Sequence, residues 1–199
     1  MSVSGEWFAP TELEFSAIHV RAKTEWAHLS LGDGSGTVGQ GEITSTQLAS
    51  EVASTVARLA NRIRGRRLSS DTDVIALNGL TTGQLEEDQV LATAVSGLRC
   101  AVTDALAQRA QLPLVDYLRA LYDHEGTPER SVQLYSNINR SMLPDDNGPV
   151  DRSPDSFAEM ASRAMEAGFT TAKCAPFDEC KAPFKSTGLP REAEPGLER

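Results

Sequence analysis

One stretch, Glu86 to Leu118 (EEDQVLATAVSGLRCAVTDALAQRAQLPLVDYL), constrains the fold of this chain more than any other. Leu91, Val95, Leu98, Val102, Ala105 and Leu106 recur at helical spacing, so the segment should bury one long apolar face. Glu86, Glu87 and Asp88 stand at its start, where the helix dipole favours negative charge. Ala94, Gly97, Ala101 and Ala105 line the same side, and residues this small let another element approach closely. Pro113 marks the break before LPLVDYL.

With 199 residues and 40% hydrophobic content, the chain can bury a sizeable core in one or two domains. Its net charge of −9 argues against a surface for nucleic acid or anionic membrane. No apolar run approaches a membrane span, and MSVSGEWFAP lacks the basic and apolar regions of a signal peptide. Cys100, Cys174 and Cys180 are odd in number and fit no zinc spacing, which implies a reduced, cytoplasmic protein.

Residues 13–44 read as a three-stranded antiparallel meander. A two-residue loop at Ala22 and Lys23 would set Ile18 opposite Ala27 and Ser16 opposite Leu29. Ile18, Val20, Ala27, Leu29 and Leu31 would then share the core face, and His19, Trp26 and His28 the other. Gly34, Gly36 and Gly39 formally satisfy G-x-G-x-x-G, but that fingerprint needs a helix opening at the third glycine. Val38 to Ile43 continues instead as a strand, which rules out the nucleotide reading. A capping box, Thr44 to Gln47, then starts a helix with Leu48, Val52, Val56, Leu59 and Ile63 as its core positions. The arginines from Arg58 to Arg67 read as its solvated end. Asp71 to Asn78 makes a short helix before Gly79, and LTTGQ links it to the long one.

Between Tyr122 and Arg130 the composition turns polar and loses its periodicity, placing a boundary between domains 1–126 and 127–199. Ser131 to Ile138 reads as a buried strand. Ser153-Pro154 opens a helix whose buried face is Phe157, Met160, Ala161, Ala164 and Met165, capped by Gly168. Phe169 to Ala175 reads as the next strand, completing one strand–helix–strand unit.

In order, the chain presents a D-G turn followed by G-x-G-E, a helical block ending A-x-x-D-A-L…P, and a unit ending G-F-x-x-x-K. This series resembles the N-terminal half of the mandelate racemase/muconate lactonizing branch of the enolase superfamily. The resemblance implies an α+β capping domain (three-stranded antiparallel meander plus helices) followed by the first βαβ unit of an incomplete (β/α) TIM-type barrel. It also implies a Mg²⁺-dependent enzyme that removes a proton alpha to a carboxylate: an acid-sugar dehydratase, racemase or cycloisomerase. The partners would be a small carboxylate substrate (a hydroxy acid or acid sugar) and further copies of a full-length homo-oligomer, with neither nucleic acid nor membrane.

Such chemistry needs a positioned base and stabilisation of a developing dianion, drawn in barrel enzymes from strand C-termini. Here that implies Asn137, Asn139 and Arg140 as substrate contacts and Lys173 as a catalytic group. The family often carries K-x-K on the second strand. Lys173 matches the first lysine, which supports the carboxylate, while Ala175 stands where the basic second lysine would be. The family's metal-binding carboxylates lie on later strands, and Asp178, Glu179, Glu192, Glu194 and Glu198 read as solvated. The chain therefore reads as a fragment, inactive alone and binding no Mg²⁺ itself. The short Arg21–Thr24 connection implies either a small substrate or a more open mouth. The alternative is a non-catalytic α+β protein-association module.

Overall fold

The computed structural model describes residues 5–21, 24–43, 49–124, 126, 131–138 and 151–175. It divides into two compact units, Met1–Pro128 and Glu129–Arg199.

In the first unit, β1 (Glu12–Arg21), β2 (Thr24–Gly32) and β3 (Val38–Ile43) form an antiparallel sheet in that order. Leu13 pairs with Leu31 and Phe15 with Leu29, while Leu31, Leu29 and Ala27 pair with Gly39, Gly41 and Ile43. Alternate residues face opposite sides of a strand. The inner face is therefore built from the rows Leu13–Leu31–Gly39, Phe15–Leu29–Gly41 and Ala17–Ala27–Ile43. This register differs by one residue from the sequence expectation: Ile18 pairs with Trp26 and Ser16 with His28. Ile18 and Trp26 end up 51% and 52% exposed. The cause is a pairing shift between His19 and Arg21. That irregularity lets Leu13 and Phe15, not Ile18, take the core face. His19 consequently lies on the opposite side from Trp26 and His28.

The β2–β3 turn is built on Asp33, whose Oδ1 accepts hydrogen bonds from Ser35 N (2.8 Å), Ser35 Oγ (2.8 Å) and Thr37 N (3.3 Å). Burial opposes ionisation of this carboxyl, but those hydrogen bonds outweigh it and lower its pKa below the usual 3.8. Because residues 38–43 are a strand, no helix N-terminus faces a pyrophosphate at Gly39.

Helix α1 (Ala49–Ile63) buries Val52, Val56, Leu59 and Ile63. The capping box expected at Thr44 to Gln47, and Leu48, lie outside the described residues. Helix α2 (Asp73–Asn78) ends at Gly79, where φ is 64° and the N–H returns to Ala76 O. The segment expected to be a linker is instead α3 (Thr82–Glu87). Thr81 and Gln84 bond reciprocally there, which satisfies the first-turn amides and outweighs the short, polar sequence. Glu86 and Glu87 thus belong to the end of α3. Asp88 alone caps α4 (Gln89–Arg109), accepting from Leu91 N at 2.9 Å. Helix α5 (Leu114–Leu121) follows Pro113.

The stripe of small residues on α4 meets β3 at backbone distance. A Cβ at Gly39 would lie 1.9 Å from Ala101 O, and one at Gly41 2.2 Å from Gly97 O. Only glycine fits either position. Around this contact Leu29, Leu31, Ile43, Leu59, Leu98 and Leu106 are almost wholly buried, each contributing about 1.5–3 kcal/mol. By length and composition α4 could cross a membrane, contrary to the sequence expectation. Its apolar side is spent on the core, and 56% of its most apolar stretch is buried.

In the second unit, β4 (Ser136–Asn137) pairs in parallel with β5 (Ala172–Lys173), and α6 (Pro154–Glu166) lies between them in sequence. Ser153 caps α6, accepting from Ser156 N. At its other end Gly168 takes φ 91° while Phe169 N–H reaches Ala164 O. Both strands are shorter than expected. Ser131 to Tyr135 is exposed and unpaired as strand, because β5 offers a ladder only to Ser136 and Asn137. Ile138, Phe157 and Ala164 are buried together, with Met160, Ala161 and Phe169 packed on them. Met165 is 73% exposed. At about 100° per residue it sits roughly 90° from the centre of that face.

Candidate functional site

The two strand-end residues singled out in the sequence are brought side by side. Asn137 and Lys173 are register partners on adjacent parallel strands, so both point to one face. Their Cα positions are fixed by the Ser136↔Ala172 pair and by Ser136 N–H donating to Thr171 O at 3.0 Å. Lys173 is exposed, and its Nζ lies 5.6 Å from the Tyr135 ring centroid. A cation over an aromatic face is held in place without losing its charge. Beside it the Asn137 Oδ1 is buried with no hydrogen-bond partner. A buried acceptor left open costs free energy unless a donor reaches it. An exposed cation and a buried, unpaired acceptor thus share a face at the ends of two strands, and the exposed Lys173 can take a carboxylate.

Tyr135 was not foreseen, although its place two residues before Asn137 puts both on one side of an extended chain. Arg152 was missed as well. Its Nη2 donates to Ala175 O at 2.9 Å and its guanidinium lies 5.1 Å from the Phe157 ring centroid, holding the chain just beyond Lys173. No sequence signal linked those positions. Asn139 and Arg140 lie outside the described residues, as do Asp178, Glu179, Glu192, Glu194 and Glu198. Among the described residues no group of three or more His, Cys, Asp or Glu side chains could hold a metal ion. The described residues therefore do not fit a Mg²⁺ centre.

The first unit carries a groove of about 740 Å³ lined by Leu85, Val95, Cys100, Leu114 and Leu118. At one end Arg99 sets Nε and Nη2 at 2.8 and 2.7 Å from Asp71 Oδ2. Burial, and then the Asp71 charge, raise the pKa of the Tyr117 phenol above its usual 10.0. Cys100 and Cys174 are exposed free thiols.

No family model matches this sequence, and no curated protein matches it. Solved structures do match its fold. A provisionally named dehydratase from Zymomonas mobilis ZM4 superposes with TM-score 0.73 at 17% identity, covering 96% of this chain and 50% of its own. The mandelate racemase/muconate lactonizing enzyme of Bordetella bronchiseptica RB50 matches at TM-score 0.51 and 23% identity, over 66% of this chain and 37% of its own. An enolase from Agrobacterium radiobacter with bound Na and L-malate matches at TM-score 0.57 and 18% identity, over 86% and 39%. The chain spans half or less of each of these proteins. Its fold is that of the N-terminal part of an enolase-superfamily enzyme. More narrowly, the three-stranded sheet and its helices match the capping domain of the mandelate racemase/muconate lactonizing type.

Proposed function

We propose that this chain supplies the capping domain, residues 1–126, and the start of the barrel, residues 127–199, of a cytoplasmic enzyme that removes a proton alpha to a carboxylate. The reaction would be a dehydration, racemisation or cycloisomerisation of a hydroxy acid or acid sugar by a full-length homo-oligomer. The observation that carries this reading is the register pairing of Asn137 with Lys173. Support comes from the fold shared with dehydratases and racemases, and from a neighbour that binds L-malate.

In this reading Lys173 supplies fixed positive charge to the substrate carboxylate. That charge stabilises the dianion formed on proton loss more than the ground-state acid. The buried, unpaired Asn137 Oδ1 would accept from a substrate hydroxyl entering beside it, and Asn139 and Arg140 are the further substrate contacts expected from the sequence. Ala175 carries no base, so the proton goes to a group outside this segment. Mg²⁺ is the family's cofactor, but its ligands are not among the described residues, and the roles of Lys173 and Asn137 do not pass through it.

Two measurements test the proposal. In a longer gene product carrying this segment, Lys173→Ala should cut turnover by roughly 10²–10³-fold, the scale of losing one charge-stabilising group. Exchange of the alpha proton with solvent, followed by NMR, should slow in parallel. Unchanged turnover would make Lys173 a solvated strand end and remove the basis of the reading. The 199-residue chain alone should show neither exchange nor stoichiometric Mg²⁺ binding by calorimetry. A tight one-to-one Mg²⁺ site there would contradict it.

The second reading, a non-catalytic α+β protein-association module, is favoured by one observation. Leu114, Val115, Leu121 and Tyr122 are exposed on and just after α5, next to the groove. A stable oligomer of the 199-residue chain in size-exclusion chromatography, resistant to limited proteolysis, would favour it.

A further inference from the structure

Cations are scarce in this chain, 19 Lys and Arg against 28 Asp and Glu, yet arginine occupies positions 58, 62, 64, 66 and 67. The C-terminal end of α1 favours positive charge, but one or two side chains meet that demand. Arg62 donates to Asn78 O at 3.1 Å, and Arg67 lies 5.1 Å from the Trp7 ring centroid. Among the described residues Arg58 and Arg64 have no ion pair, hydrogen bond or ring contact.

These two arginines line one recess of about 400 Å³. Asn61 stands between them in sequence, and three-residue steps place all three on one side of α1 and the turn that follows. Buried Pro10, Leu31 and Ala60 form an apolar floor, while the Glu12 carboxylate is turned toward Gly32. Two guanidinium groups facing one recess repel each other, and an apolar floor weakens the screening by water. An occupant with two negative charges relieves that repulsion. Guanidinium forks also match the paired oxygens of a phosphate group. A monocarboxylate would leave one arginine unmatched.

We propose that this recess binds a small phosphate monoester. Its dianionic head sits between Arg58 and Arg64, with the Asn61 amide donating to a phosphate oxygen. The site is independent of the Lys173 reading and stands or falls without it.

The test is calorimetric titration of inorganic phosphate into the 199-residue chain at low ionic strength, against sodium chloride of matched ionic strength. Saturable phosphate binding is expected, weakened roughly tenfold in Arg58→Gln and in Arg64→Gln, the loss of one charge-assisted pair. Glu12→Gln, whose carboxylate is turned toward Gly32, should change it little. All three side chains are exposed, so circular dichroism should show each variant folded as the parent. A phosphate heat no different from that of chloride, or unchanged binding in both arginine variants, overturns the proposal. Tighter binding of L-malate than of phosphate overturns it too, because a dicarboxylate would then be the better match.

Discussion

The Asp104 carboxylate on α4 accepts the backbone N–H of Gln40 on β3 at 2.9 Å. One turn further along the helix, Gln108 grips Val38 from both sides, donating to its carbonyl at 2.8 Å and accepting from its N–H at 3.4 Å. β3 is an edge strand, and unpaired edge amides invite pairing with another chain. Two helix side chains thus do here what a fourth strand would do. Asp104→Ala should cost about 1 kcal/mol in urea unfolding. Hydrogen exchange at the Gln40 amide should accelerate ahead of the rest of the sheet. Unchanged exchange there would mean that the edge is protected by something other than α4.

Gly39 and Gly83 should respond to alanine in opposite directions. At Gly39 the new methyl would meet the Ala101 carbonyl at 1.9 Å, a backbone collision that cannot be relieved by a rotamer change. Helix and sheet would have to separate, and a loss of about 3 kcal/mol or more is expected. Gly83, inside α3, has nothing within 4 Å of its would-be Cβ and takes no positive φ. Gly83→Ala should stabilise by about 0.5–1 kcal/mol through helix propensity and a less free unfolded chain. Thermal unfolding of the two variants decides the matter. Equal effects would mean that the α4–β3 contact yields more easily than its geometry indicates.

Tyr117 gives the fold an alkaline limit. Its pKa is raised in the folded state by burial and by the Asp71 charge, so the fold favours the protonated phenol. That contribution is fully present below the ordinary tyrosine value, and is lost as pH rises through the folded-state value. Phenolate absorbance should show Tyr117 ionising above the ordinary tyrosine range. Asp71→Asn should bring that ionisation down. Ionisation of Tyr117 within the ordinary tyrosine range would show that it is not held as described.

The close approach along α4 was legible because small residues recur at helical spacing on one side, and that pattern has few other uses. The hairpin register was not. β1 carries apolar residues at both parities, Leu13 and Phe15 against Ile18, and local sequence does not say which set wins. The choice lies in the partner strand, where Leu29 and Leu31 match the first set, and in an irregularity after His19 that no residue announces. The strand expected from Ser131 proves too long for a related reason. Val132, Leu134 and Tyr135 are apolar enough for a strand, but a strand exists only as far as its neighbour pairs with it. The juxtaposition of Asn137 and Lys173 followed from strand ends alone, whereas Tyr135 beside Lys173 required knowing how far the chain stays extended.

The glycine contact on α4 also acts as an alignment gauge for the sheet. Gly39 and Gly41 are two residues apart, and each faces a carbonyl of the helix, with clearances of 1.9 Å and 2.2 Å for any added carbon. If β3 slid by one residue, Val38, Gln40 or Glu42 would be driven into those gaps. The nearest misaligned sheet is therefore shut out by volume, whatever the strength of its hydrogen bonds.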